Sequence, residues 1–327
     1  MRCMKVVDLF CGCGGLSLGF QKAGFDVVAA YDKWEEALNV YRFNFDHLAD
    51  ELDLSDVETS VAAINRFEPD MIVGGPPCQD FSSAGKRDEE GGRGDLTINY
   101  AQIVCSVRPQ WFVMENVALI TKTQKLVEAK RLFKQAGYGL SEHVLDASYC
   151  GVPQKRKRFF LIGRLGETDG FMSAIINESL SSKPMTMRDY FGNSLGIEYY
   201  YRHPRSYTRR GIFSIDEPSP TIRGVNRPMP GGYSIHANDP VKSKDGIRPL
   251  TTQERSYIQT FPTDFKFVGS KTDVEQMIGN AVPVNLAKFV ATSIMKYINN
   301  PYHHRNLVLD FDRGMNFATS ESAAIAL

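Results

Sequence analysis

The stretch Val6-Val7-Asp8-Leu9-Phe10-Cys11-Gly12-Cys13-Gly14-Gly15 decides the fold class of this chain. Its first half is a short apolar run, which is typical of a buried strand. Its second half is a glycine-rich turn, and Leu16, Phe20 and Ala23 follow it with the spacing of one helix face. Glycines at a helix N-terminus let the backbone approach a ligand that carries a negative group. The stretch therefore predicts a strand, a ligand-binding turn and a helix, in that order.

The alternation of strands and helices continues to about residue 165. Further short apolar runs predict strands, and stretches with helical spacing lie between them. These runs are Asp26–Tyr31, Met71–Gly74, Trp111–Glu115, His143–Asp146 and Arg158–Ile162. Such alternation predicts a mostly parallel sheet covered on both faces, and hence an α/β, Rossmann-like domain.

The pattern changes between residues 166 and 246, where Pro, Gly, Ser, Tyr and Arg dominate. This composition predicts a small second domain of short strands and ordered loops. Helical periodicity returns over residues 247–299, so we expect residues 1–165 and 247–299 to form one domain. Residues 300–327 are predicted to be a C-terminal tail.

The composition of the 327 residues is that of an ordinary globular protein, with 43% hydrophobic and 23% charged residues. It excludes wholesale disorder and a collagen-like chain. No uncharged apolar run approaches the roughly 20 residues that a membrane helix needs, and no secretory signal precedes the first strand. The six cysteines follow no disulfide framework, so we expect reduced thiols and a cytoplasmic protein.

The 38 basic and 38 acidic side chains balance, but they are unevenly placed. Residues 1–150 carry 22 acidic and 15 basic side chains, whereas residues 151–164 carry five basic and no acidic ones. A basic strip beside an acidic lobe suits a protein that holds a polyanion in a cleft. The charge distribution alone, however, favours charged faces exposed to solvent over a polyanion-binding cleft.

Candidate functional residues follow the next three predicted strands. Asp32 ends the second strand, where an acid can accept the hydroxyls of a ribose, although a glycine turn with an acid also fits a simple tight turn. Gly74-Gly75-Pro76-Pro77 holds Cys78 on a rigid, exposed loop, which favours a reactive thiol over a buried structural cysteine. Glu115 ends an apolar strand, where desolvation raises its pKa and suits it to share a proton.

A basic motif, Gln154-Lys155-Arg156-Lys157-Arg158, precedes the last predicted strand. On a strand, Arg156 and Arg158 point to one face and the two lysines to the other. We therefore expect the arginine pair to face a site and the lysines to meet phosphate. The Gly-rich, charged residues 83–95 suit a mobile lid as well as a plain surface loop.

In their linear order these motifs resemble those of the cytosine-C5 DNA methyltransferases, which are S-adenosylmethionine-dependent enzymes typical of bacterial restriction–modification systems. The resemblance spans nearly the whole chain. It rests on the cofactor loop at residues 8–15, Gly-Pro-Pro-Cys-Gln at 75–79, Glu-Asn-Val at 115–117, Gln-x-Arg-x-Arg at 154–158, Arg-Pro-Leu-Thr at 248–251 and Gly-Asn-Ala-Val-Pro at 279–283.

The resemblance implies a catalytic role for four residues. Cys78 adds as a thiolate to C6 of cytosine, while Glu115 interacts with N3. Arg158 holds O2 of the base, and Arg156 orients Glu115 or the lid. Because a stacked base cannot reach such a site, the cytosine must be flipped out of the duplex.

The resemblance also implies a pocket for S-adenosyl-L-methionine, with S-adenosyl-L-homocysteine as the product. Phe10 and the glycines face the methionine portion, Asp32 takes the ribose, and Trp34 lies near the adenine. Trp34 also fits a plain core residue, and Asp53 shares its acidic stretch with several other acids. The implied pocket consists of Asp8, Phe10, Gly12, Gly14, Asp32, Trp34, Asp53, Leu54, Pro76 and Asn280.

The irregular residues 166–246 occupy the place of the family's target-recognition domain. Thr221-Ile222 matches the short mark found there, and nearby arginines are candidates for guanine edges or, more often, phosphates. The predicted DNA-contacting residues are Ser82, Arg209, Arg210, Thr221, Arg223 and Arg227. The partner is expected to be double-stranded DNA, with a restriction endonuclease acting separately, and the enzyme to be a monomer without a metal.

Two alternatives remain open. One branch of the family methylates tRNA with the same catalytic residues, but the Cys-Phe-Thr tripeptide associated with that branch is absent from this sequence. A catalytically inactive DNA-binding relative would not need Cys78, Glu115 and Arg158 together. Asp80 stands where many relatives carry a small residue or glycine. We expect this difference to alter lid movement or local charge without disabling Cys78.

Overall fold

A central sheet of seven strands organises the molecule. The computed structural model describes residues 3–77, 95–204, 206 and 208–300. The strands of the sheet are β1 (Lys5–Leu9), β2 (Asp26–Asp32), β3 (Leu48–Glu51), β4 (Met71–Gly74), β5 (Trp111–Val117), β6 (Tyr138–Asp146) and β8 (Lys157–Leu165), while the short β7 (Gln154–Lys155) lies outside it.

The strands are arranged in the order β3-β2-β1-β4-β5-β8-β6. Neighbours from β3 to β5 are parallel, and β8 runs antiparallel to both β5 and β6. The predicted α/β, Rossmann-like fold with a mostly parallel sheet is confirmed. Because the chain order reverses between β1 and β4, their carboxyl ends open a crevice, where such sheets bind ligands.

Helices cover both faces of the sheet. α1 (Gly15–Lys22), α6 (Ser173–Ser179) and α10 (Val284–Ile298) pack on one face, and α3 (Val57–Asn65), α4 (Leu96–Val107) and α5 (Gln124–Gln135) on the other. Val6 of β1 faces the first group and Val7 the second, as the alternation of a strand requires. None of the described helices is both long enough and apolar enough to cross a membrane.

A second core lies beside the sheet. It is built from α7 (Met187–Phe191), the antiparallel pair β9 (Tyr199–Tyr201) and β10 (Ile212–Ser214), and the helices α8 (Thr252–Ile258) and α9 (Lys271–Asn280). β11 (Ser219–Pro220) pairs in parallel with β7 and so attaches this part to the main sheet region. α2 (Glu35–Arg42) lies between β2 and β3 in the chain.

The strand β3 has no counterpart among the sequence predictions. Of its four residues only Ala49 is buried, so neither an apolar run nor an alternation marks it. It forms because the backbone of Ala29–Asp32 in β2 offers a free edge in parallel register. Likewise β6 begins at Tyr138, five residues before the predicted strand at His143.

Candidate active site

A cavity of about 490 Å³ opens at the carboxyl ends of β1, β2, β4 and β5. This volume falls in the range of small-molecule sites. The cavity brings together six of the predicted cofactor residues and two of the predicted catalytic ones. They are Phe10, Gly12, Asp32, Trp34, Pro76, Asn280, Glu115 and Arg158.

The glycine turn is held open by Asp32. Its Oδ2 accepts a hydrogen bond from the Gly12 N–H at 2.8 Å, and its Oδ1 accepts one from the Trp34 N–H at 2.9 Å. Gly12 has a φ of +52°, and a Cβ at Gly14 would lie 2.4 Å from the Phe45 ring, so both positions need glycine. One carboxylate thus fixes the turn and the start of α2 against the same cavity.

The other four predicted cofactor residues do not line this cavity. Asp8 is fully buried beneath the turn, where Ser17 Oγ donates to its Oδ2 at 2.6 Å, and burial raises the pKa of its carboxyl to about 7. Gly14 supports the turn from behind. Asp53 is exposed and pairs with Lys33 at 2.5 Å, and Leu54 is buried in the core.

Glu115 and Arg158 form a buried ion pair on the floor of the cavity. Arg158 Nε lies 3.0 Å from Glu115 Oε1, and only 15% and 11% of the two side chains are exposed. The antiparallel register of β5 and β8 sets Arg158 opposite Val117 and so brings it beside Glu115. Burial raises the pKa of the Glu115 carboxyl, although Arg158 and Arg156 counteract the shift. A carboxyl in this state can share a proton with a bound heterocycle.

The loop after β4 approaches Glu115 closely. A Cβ at Gly75 would lie 3.1 Å from Glu115 Oε2, which is tighter than ordinary side-chain contact. Asn116 Nδ2 donates to the Pro76 carbonyl at 2.8 Å and ties the loop to β5. The sequence predictions gave no separate role to Asn116; its position inside the Glu-Asn-Val motif was the available signal.

Cys78 and Ser82 lie outside the described residues, as do Asp80 and most of the expected lid. Pro77, the residue before Cys78, is exposed and lines the cavity. Pro77, which directly precedes Cys78, therefore lines the same cavity as Glu115 and Arg158.

Arg156 does not face this cavity together with Arg158, contrary to the expected alternation. The strand is interrupted between β7 and β8, and the Arg156 side chain is only 1% exposed. Its guanidinium donates to the carbonyls of Ile222, Gly279 and Ala281 at 2.9, 3.0 and 3.1 Å. Two of these carbonyls lie at the end of α9, where the helix dipole stabilises a cation. Arg156 thus ties the chain between β7 and β8 to Ile222 and to the C-terminal end of α9, where Asn280 lies.

Two buried glutamines complete this junction. Gln154 Oε1 accepts from the Ile222 N–H at 2.9 Å, and Gln154 Nε2 donates to Gln259 Oε1 at 2.7 Å. Gln259 Nε2 in turn donates to the Ala281 carbonyl at 3.0 Å. Gln259 was missed by the sequence predictions, since a buried glutamine in a helical pattern gives no separate signal.

Four of the six predicted DNA-contacting residues line a second, more open cavity. It has a volume of about 690 Å³, and its lining includes Arg209, Arg210, Thr221 and Arg223. Arg227 lines a smaller neighbouring pocket. Thr221 Oγ1 donates to the Lys155 carbonyl at 2.7 Å, so this side chain also ties the residue after β11 to β7.

Fold and site together define an α/β methyltransferase of the Rossmann type. The chain belongs to the C-5 cytosine-specific DNA methylase family, which it matches over residues 4–296. The family predicted from the motifs is confirmed, and with it the enzyme class of DNA cytosine-C5 methyltransferase.

Two curated relatives are similar over nearly their full length. The chain is 60% identical over 299 residues to Type II methyltransferase M.HindV of Haemophilus influenzae, covering 91% of this chain and 98% of the relative. It is 54% identical over 298 residues to Type II methyltransferase M.HgiDI of Herpetosiphon aurantiacus, covering 91% and 96%. The crystal structure of S. pombe Dnmt2 methyltransferase shares the fold, with a TM-score of 0.68, 17% identity, and coverage of 91% of this chain and 100% of that chain.

Proposed function

We propose that this enzyme methylates C5 of a cytosine in a specific sequence of duplex DNA, with the base flipped out of the helix and Cys78 bound covalently to C6. The observation that carries the proposal is the shared cavity. The Asp32-held turn, the Glu115–Arg158 pair and the loop leading to Cys78 all border it.

The residues of the cavity fit S-adenosyl-L-methionine. Gly15 and Val282 both line the cavity and pack so closely that a Cβ on Gly15 would lie 2.3 Å from the Val282 carbonyl. Asp32 and Trp34 border the same space. When bound, this cofactor supplies an electrophilic methyl group. Asp32 keeps lone pairs available for ribose hydroxyls, and the α1 N-terminus favours the cofactor's carboxylate. Asp53 and Leu54 do not line this cavity, but we propose that they contact the adenine of the bound cofactor.

The chain's own residues then activate the cytosine. The Cys78 thiolate adds to C6, and the displaced electron pair moves onto the ring as Glu115 shares its proton with N3. Arg158 donates to O2 and keeps the base in plane. After methylation, loss of the C5 proton restores the C5–C6 double bond and expels the thiolate.

The burial of the site supports base flipping. Glu115 is 8% exposed at the floor of the cavity, so a cytosine stacked in a duplex cannot reach it. Ser82, Arg209, Arg210, Thr221, Arg223 and Arg227 are proposed to hold the surrounding DNA. The relatives named Type II methyltransferases support a role beside a separately acting restriction endonuclease, and we propose a monomer as the acting form.

The proposal is tested by methyl transfer from labelled S-adenosyl-L-methionine to unmethylated duplex DNA and, in parallel, to bulk tRNA. We expect label in DNA as 5-methylcytosine, lost in Cys78→Ser and kept in the exposed-thiol control Cys3→Ser. Label in tRNA alone would assign the RNA substrate instead. Cofactor binding without label in either substrate would favour the DNA-binding protein without activity.

A covalent intermediate is tested with DNA that carries 5-fluorocytosine. Fluorine at C5 cannot leave as a proton does, so the thiolate cannot be expelled. We expect a denaturation-resistant protein–DNA adduct with the wild type and none with Cys78→Ser. Turnover on normal DNA with no adduct on the fluorinated strand would exclude the covalent step.

A further inference from the structure

The open cavity beside β9 and β10 contains four arginines whose environments differ. Arg202 Nη2 donates to the Thr221 carbonyl at 2.7 Å, and Arg223 Nη2 donates to the His203 carbonyl at 2.5 Å. These two side chains hold the backbone of the cavity wall. The remaining pair, Arg209 and Arg210, are adjacent in sequence and line the same cavity.

The Arg210 side chain is fixed on two sides. Its guanidinium forms an ion pair with Glu217 and lies over the Phe213 ring, 4.3 Å from the ring centre. Glu217 is itself held, because its Oε1 accepts from the Ser214 N–H at 3.2 Å. A planar cation stacked on a ring and paired at one nitrogen has little rotational freedom.

The backbone that carries Arg210 is fixed as well. Asp239 Oδ1 accepts hydrogen bonds from the N–H groups of Gly211 and Ile212 at 3.1 and 2.9 Å. Its Oδ2 accepts from the Tyr233 hydroxyl at 2.7 Å and from the His236 N–H at 2.8 Å. The backbone after Arg210 is therefore held in place by Asp239, which fixes the position of Arg210 in the cavity.

Arg209 has the opposite character. Its side chain is exposed and has no hydrogen bond or ion pair with the part of the chain that the structure describes. An exposed cation suits a phosphate, which accepts from many directions. Arg210 is partly neutralised by Glu217 and so suits a phosphate less. Among the described residues only Glu217 accepts a hydrogen bond from the Arg210 guanidinium, through one of its five N–H donors. The others form a planar fork that matches the O6 and N7 acceptors of guanine.

We propose that Arg210 reads a guanine of the target sequence from the major groove and that Arg209 binds a backbone phosphate without sequence preference. This inference rests on the proposed function. In it, Glu217 acts as a positioning residue that sets the angle of the Arg210 fork.

The test uses full-length protein and a duplex library with a fixed cytosine and randomised flanks, read by bisulfite sequencing. For Arg210→Ala we expect the preference for guanine at one position to fall about 5- to 150-fold, with other positions unchanged. For Arg209→Ala we expect weaker binding of all sequences, an unchanged sequence preference, and a salt dependence of binding reduced by about one phosphate contact.

Glu217→Gln is the third variant and tests the positioning role of Glu217. It keeps the size of the side chain but removes the ion pair, and its single amide oxygen can accept from Arg210 or from the Ser214 N–H but not from both. Discrimination at the Arg210 position should therefore fall, but less than in Arg210→Ala. Equal kcat at saturating cognate DNA, with a higher KM, would mark positioning rather than loss of fold. Thermal melting of all three variants identifies any that unfold.

An unchanged sequence preference in folded Arg210→Ala, or a preference lost in Arg209→Ala instead, would overturn the assignment. The failure of the proposed function is distinguishable from this, because it would appear as wild-type enzyme that methylates no member of the library.

Discussion

Asn116 donates a 2.8 Å hydrogen bond from Nδ2 to the carbonyl of Pro76, across the gap between β5 and the loop after β4. Asn116 follows Glu115, and Pro76 lies two residues before Cys78. This single contact therefore links the strand that carries Glu115 to the loop that leads to Cys78, the proposed nucleophile.

Asn116→Ala should lower kcat by about 10- to 100-fold, because small displacements of a reacting group have effects of this size. The free energy of unfolding should fall by about 1–3 kcal/mol, since the Pro76 carbonyl loses its donor. Asn99→Ala is the matched control: Asn99 is also buried, and its Nδ2 donates to the Ser55 carbonyl at 2.8 Å, away from the cavity. The control should lose similar stability and keep its kcat; equal kcat losses in both variants would contradict the coupling.

Gly75→Ala should move the Glu115 carboxylate. A Cβ at this position would lie 3.1 Å from Oε2, so the carboxylate must shift by a few tenths of an ångström from its place beside Arg158. We expect kcat to fall while cofactor affinity stays within about threefold. Gly232→Ala, where an added Cβ meets no atom within 4 Å, serves as the control. Full activity in Gly75→Ala would show that the Glu115 position tolerates displacement.

Asp32→Asn should weaken the binding of both S-adenosyl-L-methionine and S-adenosyl-L-homocysteine by about 10- to 100-fold, or roughly 1.4–2.8 kcal/mol. An amide offers one acceptor where two N–H groups, from Gly12 and Trp34, now find two. The turn then loses one of its supports. Isothermal titration calorimetry measures the effect, with the exposed Asp50→Asn on the neighbouring strand β3 as the control. Wild-type affinity in Asp32→Asn would remove this residue from the pocket.

Asp8 should make the protein less stable as the pH rises from about 4 to 7. Burial raises the pKa of its carboxyl from the ordinary 3.8 to about 7, so the folded chain holds a proton in this range that the unfolded chain has lost. Its contribution to stability is present below pH 4 and is lost through pH 7, by roughly 4 kcal/mol at most.

The pH dependence is measured by denaturant unfolding of the wild type and of Asp8→Asn at several pH values. Because an amide does not titrate, the difference between the two curves isolates Asp8 from other groups. We expect the variant to gain on the wild type between pH 4 and 7 and to run parallel above it. Parallel curves throughout would show an ordinary pKa at Asp8.

Much of the site was predictable because its residues follow strands. Asp32, Pro76 and Glu115 each come at or just after the end of a buried run, and parallel strands carry such positions to one edge. The resemblance to the family implied Phe10, Gly12 and Pro76 as pocket residues, and all three line the cavity. Asn116 and Gln259 were not singled out, since a hydrogen bond between distant segments leaves no periodic trace in the chain.

Arg156 and Arg158 show most clearly which contacts the sequence could not predict. In the sequence they are two residues apart and alike, and strand alternation predicts a common face. The structure interrupts the strand between β7 and β8, so that one guanidinium meets Glu115 and the other the end of α9.

The sequence by itself determined the fold class, the family and the order of the catalytic motifs, because apolar periodicity and short motifs are local properties of the chain. Only the tertiary structure decided which charged groups meet. It paired Glu115 with Arg158, buried Arg156 against backbone carbonyls of Ile222 and the end of α9, and held Arg210 with Glu217 beside an exposed Arg209. Such pairings depend on strand register and on contacts between segments far apart in the chain, such as Arg156 and Gly279, which are 123 positions apart. No local pattern encodes such contacts.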